Sequence, residues 1–353
     1  MKHTYYPALD GLRTIAVGIV LCAHGGVTYF RSGGVGVDIF FVLSGFLITT
    51  ILITEQGRTG SINFRNFYAR RFLRLAPALV LACVLAAICT VRLEGRFPGS
   101  EIAFSLSYTA NWVQAFYGYH LGSLNHTWSL AVEEQFYVIW PVIMLVLCKL
   151  VSRPSARVAV LLASAAAIAL YRAAMVGTYT DERINFGLDT RMDALMLGAA
   201  LACLVRGLPG GRLPDVAGKW LGRIVAPLMF GALLAVPRIV TWYSPWMGWI
   251  GYVLVGGAAA LVVLDLVAGG HSWLARVLAA APLRFVGRIS YGVYLYHLPV
   301  YFAVEKLMPG EPLIVRLSLK LVMTFALAIP SFFLIEQRFL RLKGRFESPS
   351  RGN

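Results

Sequence analysis

A run of arginines, Arg70-Arg71-Phe72-Leu73-Arg74, preceded by Arg58 and Arg65, lies between two long apolar stretches of the chain. Guanidinium forks held in a fixed array suit a ligand with several phosphates, because each fork matches a phosphate bidentately. Lys and Arg also gather in short cytoplasmic loops for topological reasons alone. A second feature gives the cluster chemical meaning. His24 lies inside the first apolar stretch, where an ionisable side chain marks a functional site by default. Arg13 precedes it by eleven residues. On a helix that is about three turns, so both share a face, ~16 Å apart in height. Arginines at an inner face and an imidazole deeper in a bilayer point to an enzyme using a phosphorylated donor from the cytoplasm. The plainer reading is that Arg13 snorkels to the interface and His24 satisfies a neighbouring carbonyl.

The segment Trp128-Ser129-Leu130-Ala131-Val132-Glu133-Glu134-Gln135 opens another apolar stretch from the outer side. Two adjacent carboxyls at lipid depth are costly if exposed, so one of Glu133 and Glu134 must turn into the bundle. Glu134 lies ~9 Å in from Trp128, close to the depth of His24 on its own helix. An imidazole and a carboxylate at one level are what a general base and its orienting partner require. A plain salt bridge between helices is the alternative. Ser129 reads as a helix-start hydrogen bonder. Asp38 follows the glycine-rich Gly33-Gly34-Val35-Gly36, and reads as a cap of helix two or as a ligand for acceptor hydroxyls. His297, beside Tyr294 and Tyr296, is a second buried imidazole that reads either as support behind the reacting groups or as a substrate contact. Asp189, Arg191 and Asp193 read as an intrahelical ion pair, and Ser44 with Gly45 permits close helix approach. The five cysteines all fall in apolar segments and match no zinc spacing, so neither a metal site nor a disulfide is expected.

These residues must be positioned by membrane helices. The 353-residue chain is 58% hydrophobic and 14% charged, with mean hydropathy +0.69; soluble domains are about 25% charged. Ten stretches approach the ~20 apolar residues that a spanning helix needs: 11–30, 35–54, 73–91, 128–149, 157–175, 190–205, 221–237, 246–268, 288–307 and 313–335. The expectation is an all-α polytopic bundle of about ten transmembrane helices. Most of the 32 Lys and Arg fall on one side if both termini are cytoplasmic, as the positive-inside rule requires. The net charge of +15 then reflects topology and anionic lipid, not nucleic-acid binding. Residues 1–340 read as one membrane domain and 341–353 as a basic cytoplasmic tail. The first stretch makes a poor signal peptide, since Asp10 to Arg13 and His24 to Gly26 interrupt it, and it is read as retained. A short interfacial or re-entrant helix is expected over 101–118.

Taken together, several stretches resemble the membrane acyltransferase-3 family of O-acyltransferases. They are Leu9-Asp10-Gly11-Leu12-Arg13 with His24, Gly36 to Phe46, Phe67 to Pro77, Trp128 to Phe136, and the Tyr-His stretch near 297. The resemblance implies a ten- or eleven-helix bundle that moves an acyl group, usually acetyl, from cytoplasmic acyl-CoA. The acceptor it implies is a hydroxyl on an extracytoplasmic glycan, or in some relatives a small molecule such as a macrolide. Many relatives carry an added extracytoplasmic hydrolase-like domain, which is not expected here. Carried over by position, His24 looks like the essential histidine, Arg13 its paired basic residue, and Arg70, Arg71 and Arg74 the inner-face arginines. Glu133 or Glu134 matches the acidic site. Acetyl-CoA or another acyl-CoA is thus the implied donor substrate, with no permanently bound cofactor, and the bacterial inner membrane the implied location. Homo-oligomer formation is left open. Such an enzyme requires the arginine cradle to open through the bundle onto His24. The rival class is a proton-coupled transporter, since intramembrane His, Glu and Asp also build proton relays; the halves, however, show no internal repeat of the kind transporters use.

Overall fold

In the computed structural model, residues 5–241, 243–269 and 272–342 are described, so most of the expected basic tail lies outside the described residues. The described residues are helical with no strands. The amino-terminal half comprises α1 (Pro7–His24), α2 (Gly34–Thr59), α3 (Phe64–Glu94), α4 (Gly99–Leu106), α5 (Ala110–Tyr117), α6 (Thr127–Leu150) and α7 (Pro154–Met175). Then come α8 (Asp181–Phe186), α9 (Leu188–Arg191), α10 (Asp193–Gly207), α11 (Asp215–Trp220) and α12 (Ala226–Ile239). The chain closes with α13 (Tyr252–Leu264), α14 (Trp273–Leu278), α15 (Ala281–Leu307), α16 (Leu313–Ser331) and α17 (Gln337–Leu342).

Local chemistry sets the boundaries that matter for the site. Pro7 starts α1, where its missing N–H costs nothing. Asn63 caps α3 by accepting from the Asn66 N–H at 3.0 Å, as capping side chains do. The interfacial helix expected over 101–118 is two short helices, α4 and α5, broken where Tyr108 adopts φ +54°. That left-handed backbone cannot continue a helix.

Among the described residues, eight helices are long and apolar enough to cross a membrane. Two of the ten expected spans are not among them. The stretch 190–205 is divided between α9 and the 15-residue α10, about 22 Å long and short of the hydrocarbon thickness. The stretch 288–307 lies in α15, which is 27 residues long but carries Arg284, Arg288 and His297. Both pack within the bundle, α10 on α2 and α7, and α15 on α1 and α16. Close approach there depends on glycine. Gly45 of α2 lies against the Leu195 carbonyl, and Gly198 of α10 against the Val42 carbonyl, leaving neither room for a Cβ. Gly287 of α15 meets the Asp10 carbonyl of α1 in the same way. Small residues let membrane helices touch through their backbones, and this contact sets the register that brings His24 to His297.

Candidate active site

The site has two parts, at opposite ends of α1. Near its start lies a cavity of about 350 Å³, walled by α1, α2, α3, α6 and α15 with residues of the 332–340 segment. Arg13, Arg71, Arg74 and Arg288 line it, opposed by Asp10, Glu133 and Glu336. Its walls are otherwise aromatic and aliphatic, including Phe40, Leu47, Ile51 and Tyr291. Arg71 is held on two sides: its Nε donates to Glu134 at 3.1 Å, and its guanidinium lies 3.1 Å from the Tyr137 ring centroid. Glu133 accepts from the Ser44 hydroxyl at 2.5 Å. Arg13 lines the cavity, and its Nε makes no hydrogen bond.

Arg70 departs from the expected cradle. It turns to Glu55 at 3.6 Å and does not line the cavity. One residue along a helix rotates a side chain by about 100°, so Arg70 leaves α3 on a different face from Arg71.

At the far end of α1 lies a histidine pair. His297 Nε2 is 3.1 Å from His24 Nδ1, and His297 Nδ1 bonds the Tyr294 carbonyl. A carbonyl only accepts, so His297 carries its proton on Nδ1 and offers a lone pair at Nε2. His24 Nδ1–H then donates to that lone pair, which leaves His24 with a lone pair on Nε2. His24 is exposed at the end of α1, whereas His297 is fully buried. The pairing expected between His24 and Glu134 or Glu133 is therefore not what the structure builds: the orienting group is an imidazole, and the carboxylates serve Arg71 and Ser44.

A third imidazole was not singled out by sequence reasoning. His126 precedes Thr127 at the start of α6, its ring centroid 5.0 Å from that of His297. Its Nε2 bonds the Leu295 carbonyl at 3.1 Å, and its buried Nδ1 has no hydrogen-bond partner. Burial pushes this imidazole down to about 3, with the neighbouring His24 adding to the shift. His126 is thus neutral, with Nε2 protonated and Nδ1 carrying a lone pair. The available signal was its position directly before Thr127-Trp128, but aromatic residues around it mark an outer headgroup belt equally well.

Between the two parts stands Tyr294. Its hydroxyl bridges the Ser129 hydroxyl at 2.6 Å and the His126 carbonyl at 3.1 Å. Ser129 also donates to the His126 carbonyl at 3.2 Å, the helix-start bond expected of it. Tyr294 and Ser129 close the inner end of the cavity, and His24 does not line it. The continuous opening that the sequence required is absent in this conformation.

Asp38 is neither a helix cap nor a cavity residue. It lies in the second turn of α2, buried, 2.5 Å from Arg191 Nη2. The intrahelical pairing expected of Asp189, Arg191 and Asp193 is likewise replaced by tertiary pairs. Asp193 meets Arg172 at 2.8 Å and Asp189 meets Arg183 at 2.5 Å. No metal-ligand cluster occurs among the described residues.

A family model described as an acyltransferase domain matches residues 6–335. The chain belongs to the membrane acyltransferase-3 family. Among acyltransferase-3 relatives, it is 33% identical to the peptidoglycan O-acetyltransferase OatA of Listeria monocytogenes, over 95% of this chain and 56% of that protein. It is 34% identical to a putative peptidoglycan O-acetyltransferase, YrhL, of Bacillus subtilis, over 99% of this chain and 57% of that protein. A putative O-acetyltransferase of Staphylococcus aureus shares 32% identity over 85% of this chain and 51% of its own length. The chain thus spans a little over half the length of these curated acyltransferase-3 relatives. No solved structure matches it.

Proposed function

We propose that this chain transfers an acyl group, acetyl in the simplest case, from a coenzyme A thioester to a hydroxyl of an envelope glycan. The observation that carries the proposal is the arrangement along α1: a cationic cavity at one end, a histidine pair at the other, and a single tyrosine between. Supporting it are the family membership and the activity for which relatives are named, peptidoglycan O-acetylation among them. Both termini are taken as cytoplasmic, in a bacterial inner membrane, so that the cavity mouth near Tyr5 and Arg288 faces the donor.

The cavity is at the small end of ligand pockets, which run about 300–1,000 Å³. It suits the acyl-pantetheine arm, with the nucleotide phosphates held towards the mouth by Arg13, Arg71, Arg74 and Arg288. At the far end the acceptor O–H gives its proton to His24 Nε2 while its oxygen attacks the thioester carbonyl. The carbon–sulfur bond breaks, and the proton passes to the departing thiolate. His297 holds His24 in the tautomer that this requires, the positioning role that a carboxylate plays in hydrolytic triads.

Arg71→Lys is expected to raise the donor KM roughly tenfold, because a point charge cannot replace a fork that bonds both Glu134 and a phosphate. Initial rates against acyl-CoA concentration measure it, and an unchanged KM would remove Arg71 from the donor site. Passage from cavity to histidines requires the Tyr294 ring to swing aside. Its backbone carbonyl can meanwhile keep its bond to His297. Tyr294→Phe, which loses both hydroxyl bonds, is expected to raise acceptor-independent thioester hydrolysis several-fold, roughly in line with losing bonds of about 1 kcal/mol each. Thiol release without acceptor reports this, and a rate equal to that of the unmodified protein would mean Tyr294 is not the barrier.

The acyl-transfer reading as a whole is tested with purified protein, radiolabelled acetyl-CoA and glycan fragments. Label in an ester on the glycan is the expected result. Label that crosses a vesicle membrane without forming an ester would instead indicate transport.

A further inference from the structure

One acid in the arginine cavity is at odds with a phosphate-bearing donor. Glu336 lines the cavity although the residue is only 6% exposed. A carboxylate buried to that degree is costly unless it is well partnered. Among the described residues its side chain has one hydrogen-bond partner, the Ser331 hydroxyl, which donates to Oε1 at 3.3 Å. Ser331 commits its only O–H there, so at 2.7 Å it is Tyr296 that donates to Ser331. That relay fixes Oε1. Oε2 has no such partner and is not one of the sealed, unpartnered atoms of the interior, so it opens on the cavity that the residue lines. The chain is shaped to place it. Phe332–Glu336 forms one turn of π-helix between α16 and α17, a departure that recurs at functional sites. In a plain α-helix each four-residue step drifts about 40° around the axis. The wider turn winds less per residue and offsets that drift, so Phe332, Glu336 and Leu340 all reach one cavity. On α15, Gly292 makes room, since a Cβ there would fall 3.0 Å from Oε1.

The open oxygen selects what lies against it. An ionised carboxylate only accepts, so it calls for an N–H or O–H from the ligand, whereas phosphates and a thioester carbonyl bring acceptors alone. Depth narrows the choice. With the carboxyl terminus cytoplasmic, Leu340 lies towards the mouth, Glu336 one turn or ~6 Å further in, and Phe332 deeper again. Glu336 therefore stands beyond the phosphates, alongside the arm that carries the thioester. That arm contains amides, and an amide N–H buried without an acceptor is costly. The surrounding walls, Leu47, Ile51 and Phe332 among them, have no acceptor side chain to give it. We propose that Glu336 Oε2 accepts the N–H of the pantetheine amide nearer the phosphates, which makes Glu336 a residue that sets donor specificity. The inference rests on the acyl-transfer reading and adds to it how the arm is recognised.

The test measures equilibrium binding to the full chain in detergent, by titration calorimetry, and needs no turnover. The probes are acetyl-CoA and two analogues in which one or the other amide N–H is replaced by an ester oxygen. The unmodified protein is expected to bind acetyl-CoA about tenfold more tightly than the analogue altered on the phosphate side, the worth of one hydrogen bond to a charged acceptor. Glu336→Ala should bind those two ligands equally. Glu336→Gln keeps the side-chain volume should the alanine variant fail to fold, and its neutral amide oxygen, a weaker acceptor, should reduce the preference to about threefold. The analogue altered on the thioester side is the control, and its affinity relative to acetyl-CoA should be the same in the parent and in the variants. A parent that does not distinguish acetyl-CoA from the phosphate-side analogue, or a preference that persists undiminished in the variants, would overturn the assignment while leaving the acyl-transfer reading in place. Acetyl-CoA that fails to bind the parent at all would overturn both.

Discussion

Replacing His24 with alanine is expected to lower acyl transfer by about 10²–10⁴-fold, the usual worth of positioned acid–base help, while leaving insertion and melting unchanged. The side chain is exposed at the end of α1, so little packing is lost. The structure sharpens the expectation by supplying a partner. His297→Ala should cost a comparable factor through loss of tautomer control, as in triads whose orienting group is altered, where the loss reaches about 10⁴-fold. His297→Gln should restore part of it, since its amide oxygen can accept from His24 Nδ1–H. Turnover measured with saturating donor and acceptor separates these cases. Near-normal turnover by His24→Ala would remove the imidazole from the reaction. If His297→Ala matched the unmodified protein in rate and pH profile, the orienting role would fall while His24 could stand.

The second large effect is on stability. Asp38→Ala leaves the guanidinium of Arg191 buried beside the Tyr252 ring, 3.5 Å from its centroid, without its carboxylate. Removing one partner of a buried ion pair typically costs about 3–5 kcal/mol. The neighbouring Arg172–Asp193 pair is also buried, so its carboxylate is already engaged. Thermal unfolding in detergent should show a markedly lower midpoint, with activity per folded molecule near that of the parent. A stable Asp38→Ala variant with a raised acceptor KM would instead favour the acceptor ligand, one of the two roles its sequence position suggested.

Much of the architecture was legible without coordinates. Apolar length and charge bias gave helices crossing a membrane, and helical periodicity put Arg13 and His24 on one face of α1. The cost of carboxylates in lipid required one of Glu133 and Glu134 to turn inward, and both face interior partners. The order of motifs gave the family. The boundaries of single elements were less legible. The stretch at 190–205 breaks at Met192 between α9 and α10, and α15 tolerates its polar residues because α1, α3 and α16 surround it.

What sequence by itself determined, then, is depth and face, because 1.5 Å of rise and 100° of turn per residue fix where a side chain lies along and around its own helix. Only the tertiary structure decided who meets whom. His24 finds His297 across 273 residues, and Asp38 finds Arg191 across 153. The carboxylates near the depth of His24 were claimed by Arg71 and Ser44, and Arg70 by Glu55. The rotation and separation of packed helices choose among such candidates, and those depend on backbone contacts such as Gly287 on Asp10, which no spacing within one helix encodes.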